Sequence, residues 1–236
     1  MSEQPSVSER LGAVFRHFRD LEAPLNKRLD GYTSASREIF PDYANAVDRL
    51  VQRLNESGGI GRAPRIGDDM PDFLLPDENG RLVSLSDLTA RGPTAVMFHR
   101  GHWCPYCRMN IGAVVRARHL IASKGGQVVV IMPENQHYAK IFKLESGAPY
   151  PVLTDVDNAY ALSLGLAIWL GPDIPSILTQ VGRVLPAYHG NDAWMLPIPA
   201  TFVVGEDQIV KARFVDPDFR RRMDIDDLIT ALAKAA

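Results

Sequence analysis

The sequence predicts an α/β fold behind an N-terminal helical extension, and three observations carry that reading. Apolar residues recur at three- and four-residue steps over the first 60 positions. After them come short apolar runs bounded by turn residues. Two of those runs, 94–99 ("TAVMFH") and 126–133 ("GQVVVIMP"), flank a helical stretch at βαβ spacing.

The chain is taken as a helical extension over 1–60 and an α/β domain over 61–236. In the first helix, over 8–29, Leu11, Val14, Phe15, Phe18, Leu21, Leu25 and Leu29 share one face. Beyond the interruption at Pro41, Tyr43, Ala46, Val47, Leu50, Val51 and Leu54 repeat the spacing, and "ESGGIG" stops it. Such an arm covers core or builds a dimer; a substrate lid or partner-docking element is the sharper alternative. "PDFLLPDENGRLVSLSDL" alternates about Asn79-Gly80, a hairpin signal. The run 94–99 is apolar throughout, as in a strand buried on both faces, and 126–133 is its parallel neighbour across a helix over 105–123. Then follow a helix over 136–146, a short strand in "YPVLTD", a helix over 158–164 and an irregular region to Pro197. The strands "ATFVVG" and "IVKARFV" about a turn at 206–208, and a helix over 224–235, close the chain.

Composition bounds the function. With 236 residues and 46% hydrophobic content the chain can bury a large core, and a net charge of −2 gives no reason to expect nucleic acid; "RRR" at 220–222 leaves only a local basic patch. The most apolar segment, "YALSLGLAIWLG", is too short for a bilayer span, so no membrane partner is expected. Two cysteines cannot form a multi-bridge secreted framework, and "MSEQPSVSERLG" lacks the features of a signal peptide, so a reducing, cytoplasmic location is the expectation.

Both cysteines fall in "FHRGHWCPYCRMN", where the strand over 94–99 gives way to a helix. With Cys104 as N-cap, Pro105 takes the first helical position, where its missing N–H costs nothing. Cys104 and Cys107 then share the first turn, where free N–H groups and the positive end of the helix dipole favour a thiolate. Arg100, His102 and Arg108 are near enough in sequence to add to that. The spacing permits an intramolecular disulfide, so the pair reads as a redox site. Buried cysteines as core filler are one rival reading. Zinc is another, since His99, His102, Cys104 and Cys107 are ligand types. Yet all four come from nine consecutive residues, whereas structural zinc usually joins two separated pairs. No metal and no cofactor are expected; a non-catalytic zinc-binding or scaffold protein is the alternative from another class.

Together, "PDFLLPDENGRLVSLSDL", "FHRGHWCPYCRMN" and "IPATFVVGEDQIV" resemble the thioredoxin-fold redoxins, in the peroxiredoxin-like branch named for alkyl hydroperoxide reductase and thiol-specific antioxidant. The resemblance covers roughly 67–235. It implies a thioredoxin-like fold, a central mixed sheet flanked by helices, and a reactive cysteine acting on a hydroperoxide or disulfide substrate. It further implies an external thiol reductant of thioredoxin, glutaredoxin or glutathione type, a homodimer in many relatives, and a cis peptide bond before Pro199. Trp103 would shield one side of the site, with packing at the helix start as its plainer role; Pro199 and Thr201 would line the other side.

Two departures stand out. In the peroxiredoxin register Cys107 takes the peroxidatic position and Cys104 replaces a threonine. The arginine that holds the peroxide in that family is missing between Trp194 and Phe202, leaving Arg100 or Arg213 as substitutes. In the thioredoxin-like register Cys104 is the nucleophile and Cys107 the resolving thiol. The expected function is a peroxiredoxin-like antioxidant oxidoreductase that reduces hydroperoxides through a Cys104-Cys107 disulfide, with a protein disulfide reductase as the alternative.

Overall fold

The computed structural model describes residues 4–58 and 61–236; the 60/61 boundary and the Gly59-Ile60 part of the "ESGGIG" stop lie outside the described residues. Three helices lead: α1 (Val7–Asp20), α2 (Leu25–Ile39) and α3 (Pro41–Glu56). The single helix expected over 8–29 is therefore two. Leu21 is extended at φ −63°, ψ 131°, and Pro24 caps α2. Proline has no N–H to give a preceding carbonyl and biases the residue before it away from helix. The apolar spacing runs across this break because α1 and α2 turn their apolar stripes to a common core, with Phe15 edge-on to Tyr32.

Next come β1 (Leu74–Pro76) and β2 (Leu82–Ser84), an antiparallel hairpin closed by Asp77, whose carboxylate accepts the N–H groups of Asn79 and Arg81. Gly80 takes φ +82° there, a conformation with no steric cost for glycine. A short helix that the sequence reading did not separate, α4 (Leu85–Thr89), leads into β3 (Thr94–Phe98). The helix expected over 105–123 is two segments, α5 (Pro105–Arg116) and α6 (Arg118–Ser123), meeting at Ala117. Then come β4 (Gln127–Met132), α7 (Gln136–Ser146), β5 (Val152–Thr154) and α8 (Ala159–Ser163).

The region expected to be irregular holds four short elements: β6 (Ala167–Trp169), α9 (Asp173–Gln180), α10 (Leu185–His189) and β7 (Met195–Pro197), with β6 and β7 antiparallel. Each is too short for its periodicity to stand out. The chain closes with β8 (Ala200–Val204), β9 (Val210–Val215) and α11 (Ile225–Ala235), which Asp224 caps through the Asp226 N–H.

The central sheet is mixed, in the order β5-β4-β3-β8-β9. β3 and β4 are parallel, with Val96 opposite Val129, and β8 runs antiparallel to β3, with Thr201 opposite Met97. Both faces are covered. Ala95, Met97, Val128, Val130 and Val203 point to the side holding α1–α3, α5 and α11, while Val96, Phe98, Val129, Ile131 and Phe202 point to the hairpin, α4 and α8. This explains why 94–99 reads as a continuous apolar run. Among the described residues no helix is long and apolar enough to cross a membrane.

Candidate active site

The site begins where β3 ends. His99 still donates its N–H to Ile131, and its buried ring meets the Asn110 side chain at 3.1 Å. Burial, with the positive Arg222 nearby, pushes His99 down to about 3 against the pull of Asn110, so the ring is neutral. Gly101 turns the chain at φ +140°, and His102 is tied to buried Glu134 twice, by its N–H at 2.8 Å and by Nδ1 at 2.7 Å. Tyr138 stacks on the His102 ring. The loop is thus held at both shoulders, and it delivers Cys104 as the N-cap of α5 with Pro105 in the first turn. The Arg108 N–H closes the first helical hydrogen bond onto the Cys104 carbonyl.

Cys104 and Cys107 approach to 3.2 Å. Both thiols are buried, but their environments differ. Burial opposes a charge on Cys104, yet the Cys107 thiol as donor and the Arg100 and Arg222 guanidinium groups outweigh it, holding Cys104 well below the ordinary thiol range. Burial and the adjoining Cys104 push Cys107 the other way. Two close thiols share one negative charge, and these surroundings place it on Cys104. The Cys107 sulfur in turn accepts from the Arg100 N–H at 3.3 Å and from Arg222 Nη2 at 3.6 Å. Arg100 is itself buried, its guanidinium 3.7 Å from the centre of the Phe219 ring and 5.1 Å from that of Trp103. Flat, weakly hydrated guanidinium tolerates such an aromatic sandwich.

Cys104 opens onto a cavity walled on one side by Tyr32, Thr33, Tyr43 and Val47 of α2 and α3, and on the other by Arg100, Trp103, Tyr106, Arg183 and Phe219; Cys107 lies behind it and does not line it. The two walls are joined by a hydrogen bond between Thr33 and Tyr106 hydroxyls at 3.0 Å. One wall of the cavity is therefore built by the N-terminal helices α2 and α3.

The sequence profile of the AhpC/TSA family matches residues 66–213. The chain belongs to the AhpC/TSA family. Among relatives, the thiol-disulfide oxidoreductase ResA of Bacillus subtilis (strain 168) is 26% identical over 147 residues, 61% of this chain and 65% of that protein. The chloroplastic peroxiredoxin Q of Oryza sativa subsp. japonica is 29% identical over 115 residues, 49% of this chain and 52% of that protein. The chain thus spans less than two thirds of the length of either relative. The fold matches the peroxidoxin BcpB of Mycobacterium tuberculosis with a TM-score of 0.57 at 20% identity, covering 73% of this chain and 99% of that one. A peroxiredoxin-like protein from Aquifex aeolicus matches with a TM-score of 0.57 at 12% identity, covering 75% and 91%. The mixed sheet with helices on both faces is the thioredoxin-like arrangement of the AhpC/TSA family.

Of the residues singled out from sequence, Cys104, Trp103 and Arg100 meet at the cavity. Pro199 and Thr201 do not line it: Pro199 is buried just ahead of β8, and Thr201 pairs with Met97 and Phe214 inside the sheet. The cis bond implied before Pro199 is also corrected. No described residue has a cis peptide bond, and Pro199 is an ordinary trans proline at a strand start, compatible with its fixed φ. Arg213 is drawn away to the carbonyls of Ala63 and Pro64, so of the two substitute arginines only Arg100 is at the site. The four residues of the zinc alternative do not converge, because His99 is turned to Asn110 and His102 to Glu134, and no group of three such side chains among the described residues is placed to hold a metal.

The reading of "RRR" as a surface patch also changes. Arg220 binds Asp48 and Asp218, Arg221 binds Asp216, and Arg222 is buried against the Phe219 carbonyl and Cys107. Arg222, Glu134, Arg183 and Phe219 went unrecognised as site residues. Only the arginine run carried any local signal, and it pointed to solvent.

Proposed function

We propose that this chain is a thiol peroxidase in which Cys104 is the nucleophile and Cys107 the resolving thiol. The observation that carries the reading is that Cys104 alone of the two faces the cavity, with the Arg100 charge beside it. The Cys104 thiolate attacks the terminal oxygen of a hydroperoxide. An S–O bond forms as the O–O bond breaks, leaving a sulfenic acid and an alkoxide that takes up a proton to leave as the alcohol. Cys107 then attacks the Cys104 sulfur, water leaves, and the Cys104-Cys107 disulfide forms. Two thiol equivalents from an external reductant of thioredoxin, glutaredoxin or glutathione type return it to the dithiol. Arg100 holds the thiolate at the start and the leaving oxygen later, the part that the missing arginine near Pro199 would otherwise take.

A second reading, disulfide reductase, is favoured by the similarity to ResA, a thiol-disulfide oxidoreductase. It uses the same nucleophile, with a disulfide sulfur in place of the peroxide oxygen. The two separate on the Cys107→Ser variant. Treated with one equivalent of hydroperoxide, this variant should accumulate a dimedone-trappable sulfenic acid on Cys104, and Cys104→Ser should accumulate none. Sulfenic acid on Cys107 in Cys104→Ser would reverse the assignment. Absence from both variants, with rapid reduction of a model disulfide by Cys107→Ser, would favour the reductase.

A further inference from the structure

Cys107 has to carry a negative charge where water does not reach. It is fully buried and does not line the cavity. To close the disulfide its thiol must become a thiolate, and an unsolvated thiolate is costly unless the protein supplies donors. Two donors are in place. The Arg100 backbone N–H stands 3.3 Å from the Cys107 sulfur, and Arg222 Nη2 stands 3.6 Å from it. Arg222, from the segment between β9 and α11, is itself buried, and its Nη1 is tied to the carbonyls of Phe219 and Arg221. Donors fixed in this way need no rearrangement when charge develops on the sulfur. The charges around the pair point the same way. Arg100 and Arg222 are both buried, and neither pairs with a carboxylate among the described residues. The buried Glu134 carboxylate is engaged by His102 instead. In the dithiol the Cys104 thiolate is the counter-charge of both arginines. Oxidation of Cys104 to a sulfenic acid removes that charge, and a Cys107 thiolate is the group placed to restore it.

We propose that Arg222 is a catalytic residue of the resolving step: together with the Arg100 N–H it holds the thiolate that Cys107 becomes when it attacks oxidised Cys104 and when the reductant later expels it. This rests on the peroxidase reading above, with Cys104 as the nucleophile. In the attack the Cys107 sulfur bonds to the Cys104 sulfur, the Cys104 S–O bond breaks, and the oxygen leaves as water with the proton that Cys107 gave up. In the reduction the incoming thiolate bonds to Cys104, the S–S bond breaks, and Cys107 keeps the electron pair until it takes up a proton. The two guanidinium groups thus divide the cycle, Arg100 serving Cys104 and Arg222 serving Cys107.

The test is the competition for the sulfenic acid, which Cys107 closes to a disulfide and a second peroxide molecule oxidises to a sulfinic acid. Reduced protein is mixed with rising hydrogen peroxide, and the Cys104 peptide is mass-mapped for the two products. In Arg222→Gln the peroxide concentration that divides the products equally should fall about ten- to a hundredfold, the size of one hydrogen bond to a charged group. Arg222→Lys, which keeps the charge, should lie between Arg222→Gln and the wild type. Cys107→Ser with and without Arg222→Gln reports the second oxidation by itself, and any change there is divided out. The rate of the first oxidation of Cys104 is followed on the same variants, because a merely loosened site slows both steps. A dividing concentration that does not move, or an equal slowing of the first oxidation and the resolution, would overturn the role of Arg222. If hydrogen peroxide gives wild-type protein neither the Cys104-Cys107 disulfide nor an oxygen adduct on Cys104, the peroxidase reading fails and this inference falls with it. If the wild type gives these products and the dividing concentration stays put in Arg222→Gln, only the role of Arg222 fails.

Discussion

Arg100 does two things at once: its backbone N–H points to Cys107 and its side chain carries a buried positive charge to the cavity that Cys104 lines. The Cys104 thiol is lowered to about 5, because its neighbouring donor and two arginines outweigh burial. A lowered value means that the thiolate is present above that pH and lost below it. The alkylation rate of the reduced protein should therefore be level across neutral pH and fall as pH drops through about 5, where an ordinary thiol would still be gaining rate up to about 8.5. Arg100→Met should raise that midpoint by about one pH unit or more. An unchanged midpoint would mean that the Cys107 donor and Arg222 set it without Arg100. Gly101 is the second position where one atom matters. A Cβ there would stand 2.5 Å from Glu134 Oε1 and 2.7 Å from Trp103 Nε1, at a φ of +140° that L residues rarely adopt. Gly101→Ala should cost on the order of 1–3 kcal/mol in denaturant unfolding and should disturb the Glu134-His102 contact; a variant of wild-type stability and activity would show that the loop is not held as described.

At the scale of elements, the site depends on two junctions. The first is the turn from β3 into α5, which was legible in sequence because Pro105, the apolar run before it and the Cys-x-x-Cys spacing are local signals. The second is the packing of α2 on α5, with α3 beside α2, which was legible only in part. The apolar spacing of Leu25, Leu29, Val47, Leu50 and Leu54 announced helices with a face to bury, but not that the face would close over Cys104. Nor did that spacing reveal the break at Pro24, since both helices turn the same stripe to one core. Leu29, 2% exposed in that core, is the direct probe of this packing. Leu29→Ala should destabilise the whole chain by about 2–5 kcal/mol in a single unfolding transition. An early, separate transition of α1–α3 would show instead that the extension is energetically independent.

Across the whole molecule, what the sequence made visible was local and what it hid was long-range. The sheet strands followed from continuous apolar runs bounded by turn residues, and the hairpin from alternation about Asn79-Gly80. Arg222 reaches Cys107 from 115 residues away, and nothing in "RRR" separates the one buried guanidinium from its two surface-paired neighbours. Arg183 sits among elements too short to show a period. Pro199 and Thr201 were placed at the site by family resemblance, but neither lines the cavity: Pro199 is buried ahead of β8 and Thr201 is paired within the sheet. The molecule that results has one thiol aimed into a cavity between α2–α3 and the loop that leads into α5, and the other thiol sealed behind it. Alkylation of the reduced, native protein with less than one equivalent of iodoacetamide at neutral pH, followed by peptide mass mapping, tests that arrangement most directly. The label should be found almost wholly on Cys104; a label on Cys107, or an even division between the two, would contradict it.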